Sequence, residues 1–184
     1  MRLPNLVRVS GGVLLLVLLS GCVPSDATPP PEQTASFVAP YASDEEALAA
    51  AEEAYAEYSR VSDEILIEGG ADPQRLGAVA TGDFLNVSIE EMREFEAEGY
   101  RATGITTYSD LVLQRYSPGA GPIDIIGLYL CSDVSGTDVL DAAGKSIIEP
   151  TRDDVSTMQV TFTFIEADAQ LVVSDQQLWE SGVC

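Results

Sequence analysis

The spacing of apolar residues changes character along the chain. Val13 to Leu19 is an almost unbroken aliphatic run, preceded by Arg2 and Arg8 and closed by Leu19-Ser20-Gly21-Cys22. Val23 to Pro40 carries Pro24, Pro29, Pro30, Pro31 and Pro40 among Ser, Thr and Ala. From Ala47 the apolar residues recur at helical spacing, through Leu48, Ala51, Ala54, Tyr55, Tyr58, Val61, Ile65 and Leu66. Glu52, Glu53, Glu57, Arg60 and Glu64 cover much of the opposite side. From Tyr100 the period drops to two.

These patterns predict helices first. Ser43-Asp44-Glu45-Glu46 reads as a capping box, with Ser43 as N-cap and Glu46 reaching back. Gly69-Gly70 ends that helix. Asp72-Pro73 supplies an N-cap and a first-turn proline for a short helix near Gln74 to Ala80. A third helix is expected over Ile89 to Ala97, with Ser88 as N-cap and Gly99 as its stop. Asn86-Val87-Ser88 matches a glycosylation sequon but reads as the turn leading into that helix.

Strands follow. Thr103, Ile105, Thr107, Leu111, Leu113 and Arg115 alternate with their neighbours, as one bent strand or two short ones. Ser117 to Pro122 is a turn, and Ile123 to Val134 is a strongly apolar strand. Asp141-Ala142-Ala143-Gly144 is a tight turn in a small hairpin. Val155 to Glu166 and Gln170 to Gly182 are strands joined at Ala167-Asp168-Ala169, and Trp179 is expected near the core. Helices followed by hairpin-connected strands predict an α+β fold, with N-terminal helices packed on a bent antiparallel sheet.

The first 22 residues add a destination. A positive start, a short apolar run and small residues before a cysteine form an export signal. The run is well short of the roughly 20 residues that span a bilayer. Leu-Ser-Gly-Cys resembles the bacterial lipobox, in which the cysteine receives diacylglycerol and the peptidase cuts before it. An ordinary signal peptide with an incidental cysteine is the competing reading. With no twin-arginine pair, the Sec route is expected. The expected organisation is a signal peptide over 1–21, a lipidated proline-rich tether over 22–42 and a folded domain over 43–184. The tether would reach on the order of 50 Å at about 3 Å per residue. The expected location is the extracytoplasmic face of the cell membrane, held by lipid on Cys22.

Charge narrows the partners. The 184-residue chain carries 30 acidic and 9 basic residues, a net −21, with no histidine. Such a surface repels nucleic-acid phosphates and anionic headgroups, so a nucleic-acid binder is excluded. Either the charge serves solubility or it docks a basic partner.

Several runs resemble a known group. Ala80-Thr81-Gly82-Asp83, Leu128-Tyr129-Leu130-Cys131-Ser132-Asp133, Asp141-Ala142-Ala143-Gly144-Lys145-Ser146 and Leu178-Trp179-Glu180-Ser181-Gly182-Val183-Cys184 are similar to runs in actinobacterial lipoproteins of the nuclear-transport-factor-two-like superfamily. The resemblance covers roughly Asp44 to Cys184. It implies a cone-shaped, cystatin-like (SnoaL-like) fold, in which a long N-terminal helix crosses a strongly curved antiparallel sheet.

The candidate chemistry is sparse. With Cys22 given to lipid, Cys131 and Cys184 remain, and an even pair in an oxidising compartment reads as a disulfide. Asp133, Ser135 and Thr137 alternate as in a calcium loop, but Asp138 and Gly144 stand where glycine and glutamate belong. A surface calcium among Asp133, Asp138 and Asp141 is the residual metal reading; no metal site and no cofactor are expected. Cone-fold enzymes similar in architecture, such as ketosteroid isomerase and scytalone dehydratase, work with Asp, His and Tyr. Here the histidine is missing, and Asp83 is an acid candidate by residue type alone. Tyr100, Tyr116, Asp124, Tyr129 and Asp133 are the weak ligand-binding candidates. The expected function is a non-enzymatic binding or assembly role with an envelope protein partner. A carrier of a small apolar ligand is the alternative, and a lyase or isomerase comes last.

Overall fold

The computed structural model describes residues 37–180, 182 and 184. Cys22, the export segment and the tether up to residue 36 lie outside the described residues.

Helix α1 spans Asp44–Ile67 and starts as the capping box requires. The Glu46 amide donates to Ser43 Oγ at 3.3 Å. The Glu46 carboxylate reaches one residue further back than expected and accepts from the Ala42 amide at 2.8 Å. Gly69 and Gly70 close the helix at φ 79° and 86°, and the Gly70 amide donates to Ile65 O at 2.8 Å. A Cβ on Gly70 would run into the carbonyl oxygen of Met92. That glycine is what lets the end of α1 meet the second helix.

Two helix starts differ from the sequence expectation. Asp72 sits in the left-handed region at φ 50° and makes no side-chain cap, and Pro73–Ala78 is a 3₁₀ helix. Helix α2 spans Gly82–Ala97, starting after Thr81 instead of Ser88. Ser88 is buried within it, so Asn86-Val87-Ser88 is helix rather than turn. Packing explains the longer helix. Phe84 lies against Tyr58, and Leu85 and Ile89 pack on the cluster of Val61, Ile65, Leu76 and Met92. Tertiary burial outweighs the turn preference of Asn and Ser.

The fold is α+β. Strands β2 (Thr107–Tyr116), β3 (Ile126–Asp133), β5 (Val155–Ile165) and β6 (Gln170–Leu178) form one antiparallel sheet in the order β2-β3-β5-β6. Strands β1 (Arg101–Thr103) and β4 (Asp138–Leu140) pair separately. Residues 103–115 match neither one bent strand nor two short ones: Thr103 ends β1, Ile105 lies between strands, and Thr107 to Arg115 belong to the single ten-residue strand β2. The Asp141 turn also forms, with the Gly144 amide on Asp141 O at 2.8 Å and Asp141 Oδ1 accepting from the Ala143 and Lys145 amides.

The helices cover one face of the four-stranded sheet. Ile126, Leu128 and Leu130 of β3 and Val160 and Phe162 of β5 are fully buried there, against Ala47, Ala51 and Tyr55 of α1. The folded unit takes in residues 37–42, which patterning assigned to the tether. Phe37 rests on Phe164 with ring centres 6.3 Å apart. The Tyr116 hydroxyl donates to Tyr41 O at 2.7 Å and accepts from the Tyr41 amide at 3.2 Å.

Trp179 is not in the helix-side core. It follows β6 on the opposite face of the sheet and keeps 39% of its surface exposed. A register shift on β6 between Val173 and Asp175 explains this. Val173 faces the helices, and the extra residue Ser174 turns Asp175, Gln177 and Trp179 outward. Among the described residues no helix is long and apolar enough to cross a membrane.

Candidate functional site

The outer face of the sheet is built by alternation along β3. Ile126, Leu128 and Leu130 point to the helices, so Gly127, Tyr129 and Cys131 point away. Register then lines up three cross-strand rows. Val112, Tyr129, Gln159 and Gln177 form the central row. Arg115, Gly127, Thr161 and Asp175 form the row on one side. Ser109, Cys131 and Thr157 form the row on the other, extended by Trp179, whose amide donates to Thr157 O at 2.9 Å. At the usual strand spacing, each row is roughly 14 Å long.

A chain of amides crosses this face. Gln177 Nε2 donates to Gln159 Oε1 at 3.1 Å, and Gln159 Nε2 donates to Gln114 Oε1 at 3.4 Å. Gln114 and Gln159 lie on strands that are not neighbours, with β3 between them. Two features close the gap. A register shift between Leu113 and Arg115 leaves Gln114 as the extra residue, and its side chain joins that of Arg115 over Gly127. There, a Cβ would sit 2.6 Å from Gln114 Oε1 and 3.2 Å from Arg115 Nε. Glycine at 127 is the notch through which the Gln114 amide reaches across.

The other side of the face is fixed covalently. Cys131 and Cys184 form a disulfide with Cα atoms 5.6 Å apart. The Thr157 hydroxyl donates to Cys184 Sγ at 3.2 Å. Beside the disulfide, the rings of Tyr129 and Trp179 lie 5.2 Å apart at 41°. Trp179, Leu178 and Val155 line a surface depression of about 450 Å³ next to Cys184.

Exposed carboxylates are densest on the helices. Asp44, Glu45, Glu46, Glu52, Glu53, Glu57 and Glu64 of α1 are exposed, as are Asp83, Glu90, Glu91, Glu94 and Glu96 of α2. In the three rows of the sheet face, the charged side chains are Arg115 and Asp175, at opposite ends of the Gly127 row. The rest of those rows is amide, hydroxyl, aromatic and aliphatic, bordered by Asp133, two residues beyond Cys131 on the same face, and by Glu180, which lines the depression beside Trp179.

The sequence candidates scatter. Tyr129 belongs to the outer face. Tyr100 follows α2 and packs edge-on against Phe95 at 5.6 Å. Tyr116 ties down residue 41. Asp124, at φ 50°, accepts from Ser174 Oγ at 2.9 Å, and its amide donates to Thr163 Oγ1 at 3.1 Å. Asp133 accepts from the Ser135 amide at 2.8 Å. Ser135, through its hydroxyl and its amide, holds that exposed carboxyl below its ordinary range. Asp83 is exposed in the first turn of α2. Asp138 accepts from Ser146 Oγ at 2.6 Å, so it too is engaged locally. Among the described residues no group of three or more His, Cys, Asp or Glu is placed to hold a metal ion.

Two features went unread in the sequence. One is the amide chain. The other is Asp63, half-buried on α1, which accepts from the Thr106 amide at 2.9 Å and from Thr106 Oγ1 at 3.0 Å. Burial pushes its pKa up, against the pull of those two bonds. Between α1 and the sheet, the space is occupied by Ala47, Ala51, Tyr55, Leu128, Val160 and Phe162, each nearly or wholly buried.

No family model matches the chain, and no curated protein matches it. Among solved structures it is similar to the intermembrane space region of the chloroplast protein ARC6, with a TM-score of 0.52 and 11% identity over 71% of this chain and 95% of that one. A de novo designed β-sheet protein also aligns, with a TM-score of 0.31 and 14% identity over 71% of this chain and 88% of the design, too low to carry an argument. At 11% identity, what the chain shares with the ARC6 region is its fold and nothing further.

Proposed function

We propose that this chain is a lipid-anchored extracytoplasmic binding module, held to the membrane through Cys22 and using the outer face of its four-stranded sheet to engage a partner in the cell envelope. The observation that carries the reading is the contrast between the two sides. A chain of net charge −21 packs its exposed acids most densely on α1 and α2, while the three central rows of the outer sheet face hold one Arg and one Asp beside a part-exposed tryptophan, with Asp133 and Glu180 at their margin. Self-repulsion keeps the helix side in solvent, and the less charged side is the one that can be desolvated at lower cost. The same proposal assigns the α+β unit to the nuclear-transport-factor-two-like superfamily, with the cone-shaped, strongly curved sheet of that group. The order of helices followed by antiparallel strands supports it. The carrier alternative is weakened by the filled layer between α1 and the sheet. The lyase or isomerase reading is weaker still, since Tyr100, Tyr116, Asp124, Tyr129 and Asp133 do not converge on a cavity.

The test is a photo-crosslinking residue placed at Gln159 on the sheet face or at Glu90 on α2, in membranes carrying the full chain. The Gln159 position should give adducts that the Glu90 position lacks. Adducts from Glu90 alone would mean the wrong side of the molecule has been chosen.

A further inference from the structure

The geometry points to a neutral glycan as the ligand of the outer sheet face. This inference deepens the binding-module reading and rests on it. A pyranose ring has two kinds of surface: C–H bonds on its broad faces, and hydroxyls around its rim that both donate and accept. The negative face of an aromatic ring attracts polarised C–H bonds. Trp179 is partly exposed and packs at a tilt against Tyr129, so the indole is held before a ligand arrives. Pre-ordering of this kind lowers the entropy lost on binding.

The rim of the sugar needs paired donors and acceptors. A carboxamide supplies two donors and one acceptor in one plane. The Gln177–Gln159–Gln114 chain commits at most one N–H of each amide to its neighbour. Each amide therefore keeps a second N–H for a ligand. The mutual bonds also fix the amide planes, which isolated surface glutamines would not do. The chain and the tryptophan lie in adjacent rows of the sheet, about two residues or roughly 7 Å apart along the strands. That separation lets one sugar unit stack while its neighbour meets the amides.

The charge pattern favours an uncharged ligand over the other classes. Anionic polymers and headgroups are repelled by the molecule as a whole. A basic peptide would be drawn most strongly to the far side, where the exposed carboxylates of α1 and α2 are densest. An apolar ligand would have to cover the amide chain and leave its donors unsatisfied. An uncharged polyhydroxyl chain meets none of these penalties.

Trp179 is the one tryptophan of the chain, so its fluorescence reports on this face alone. The experiment titrates the purified full chain with three neutral hexasaccharides, β-1,4-linked glucose, β-1,4-linked N-acetylglucosamine and α-1,6-linked mannose. Fluorescence and calorimetry are read together. At least one sugar should shift Trp179 emission and bind measurably below about 5 mM. Gln159→Ala should weaken that binding about tenfold by calorimetry. Gly127→Ala, which places a methyl where the Gln114 amide crosses, should weaken it as well without unfolding the chain. Glu90→Gln on α2 should leave it unchanged. No binding by any of the three, or binding indifferent to Gln159→Ala and Gly127→Ala, overturns the glycan assignment. If protein adducts form at Gln159 in membranes while no sugar binds, the glycan fails and the binding face stands. If neither is seen, both fall.

Discussion

Asp63 and Thr106 join α1 to the start of β2 through two hydrogen bonds to one carboxylate, at 2.9 and 3.0 Å. Burial outweighs both bonds, so the pKa of Asp63 is raised. The folded state therefore holds this proton to a higher pH than the unfolded chain, whose carboxyl titrates near about 3.9. The stability linked to that proton is complete below the unfolded pKa and is lost as pH rises through the folded one. Asp63→Asn keeps an acceptor and removes the titration. Denaturation of both forms between about pH 3 and 7 should show the stability of Asp63→Asn gaining on the parent as pH rises. A gap that narrows instead would mean the charge is favourable there. Asp63→Ala, which leaves the Thr106 amide unpaired, should cost about 1–2 kcal/mol.

Gly70 makes a sharper test of packing. It combines φ 86° with an approach to Met92 O that no Cβ can share. Gly70→Ala should destabilise the fold by about 2–4 kcal/mol, because α1 and α2 must move apart. Gly119→Ala, where nothing lies within reach of an added Cβ, is the control. Equal chemical-denaturation midpoints for the two variants would show that the helix junction tolerates the shift.

The Cys131–Cys184 disulfide closes a separation of 53 residues. Chain entropy puts its contribution at about 4 kcal/mol, before any adjustment for native-state geometry. Cys184→Ser should lower stability by about 2–4 kcal/mol. It should also release Trp179 from Tyr129, giving a red-shifted and more quenchable emission. Unchanged emission in the reduced protein would mean that β6 alone holds the indole in place.

Cys22→Ser tests the anchor. The variant should accumulate as unprocessed precursor in the membrane and take up no labelled lipid. Labelling that persists would move the acceptor to another residue.

What the sequence made legible was local. Ser43 and Glu46 lie three residues apart, and the box they form depends on nothing else. The Asp141 turn is likewise written in four consecutive residues. The pairing of Cys131 and Cys184 came from parity and compartment, not from geometry. What stayed hidden depends on bulges. Strict alternation from Val173 would carry Trp179 to the helix side, and one extra residue at Ser174 reverses it. The Gln114 side chain reaches Gln159 because a second bulge in β2 coincides with a glycine on β3. No periodicity links residues 114, 159 and 177, since their meeting is a property of the sheet. The start of α2 is hidden from local patterning for a related reason. Asn86 and Ser88 have turn preferences, and the burial of Phe84 and Leu85 overrules them.

The uneven placement of acids also makes the molecule an electrical vane. Near any negatively charged surface, the helix side is pushed outward more strongly than the sheet side, and the difference is a torque. It acts within roughly one Debye length, about 8 Å at physiological salt. The folded domain would then not tumble freely against such a surface. It would spend more of its time with the amides and Trp179 turned inward, and high salt would set it spinning again.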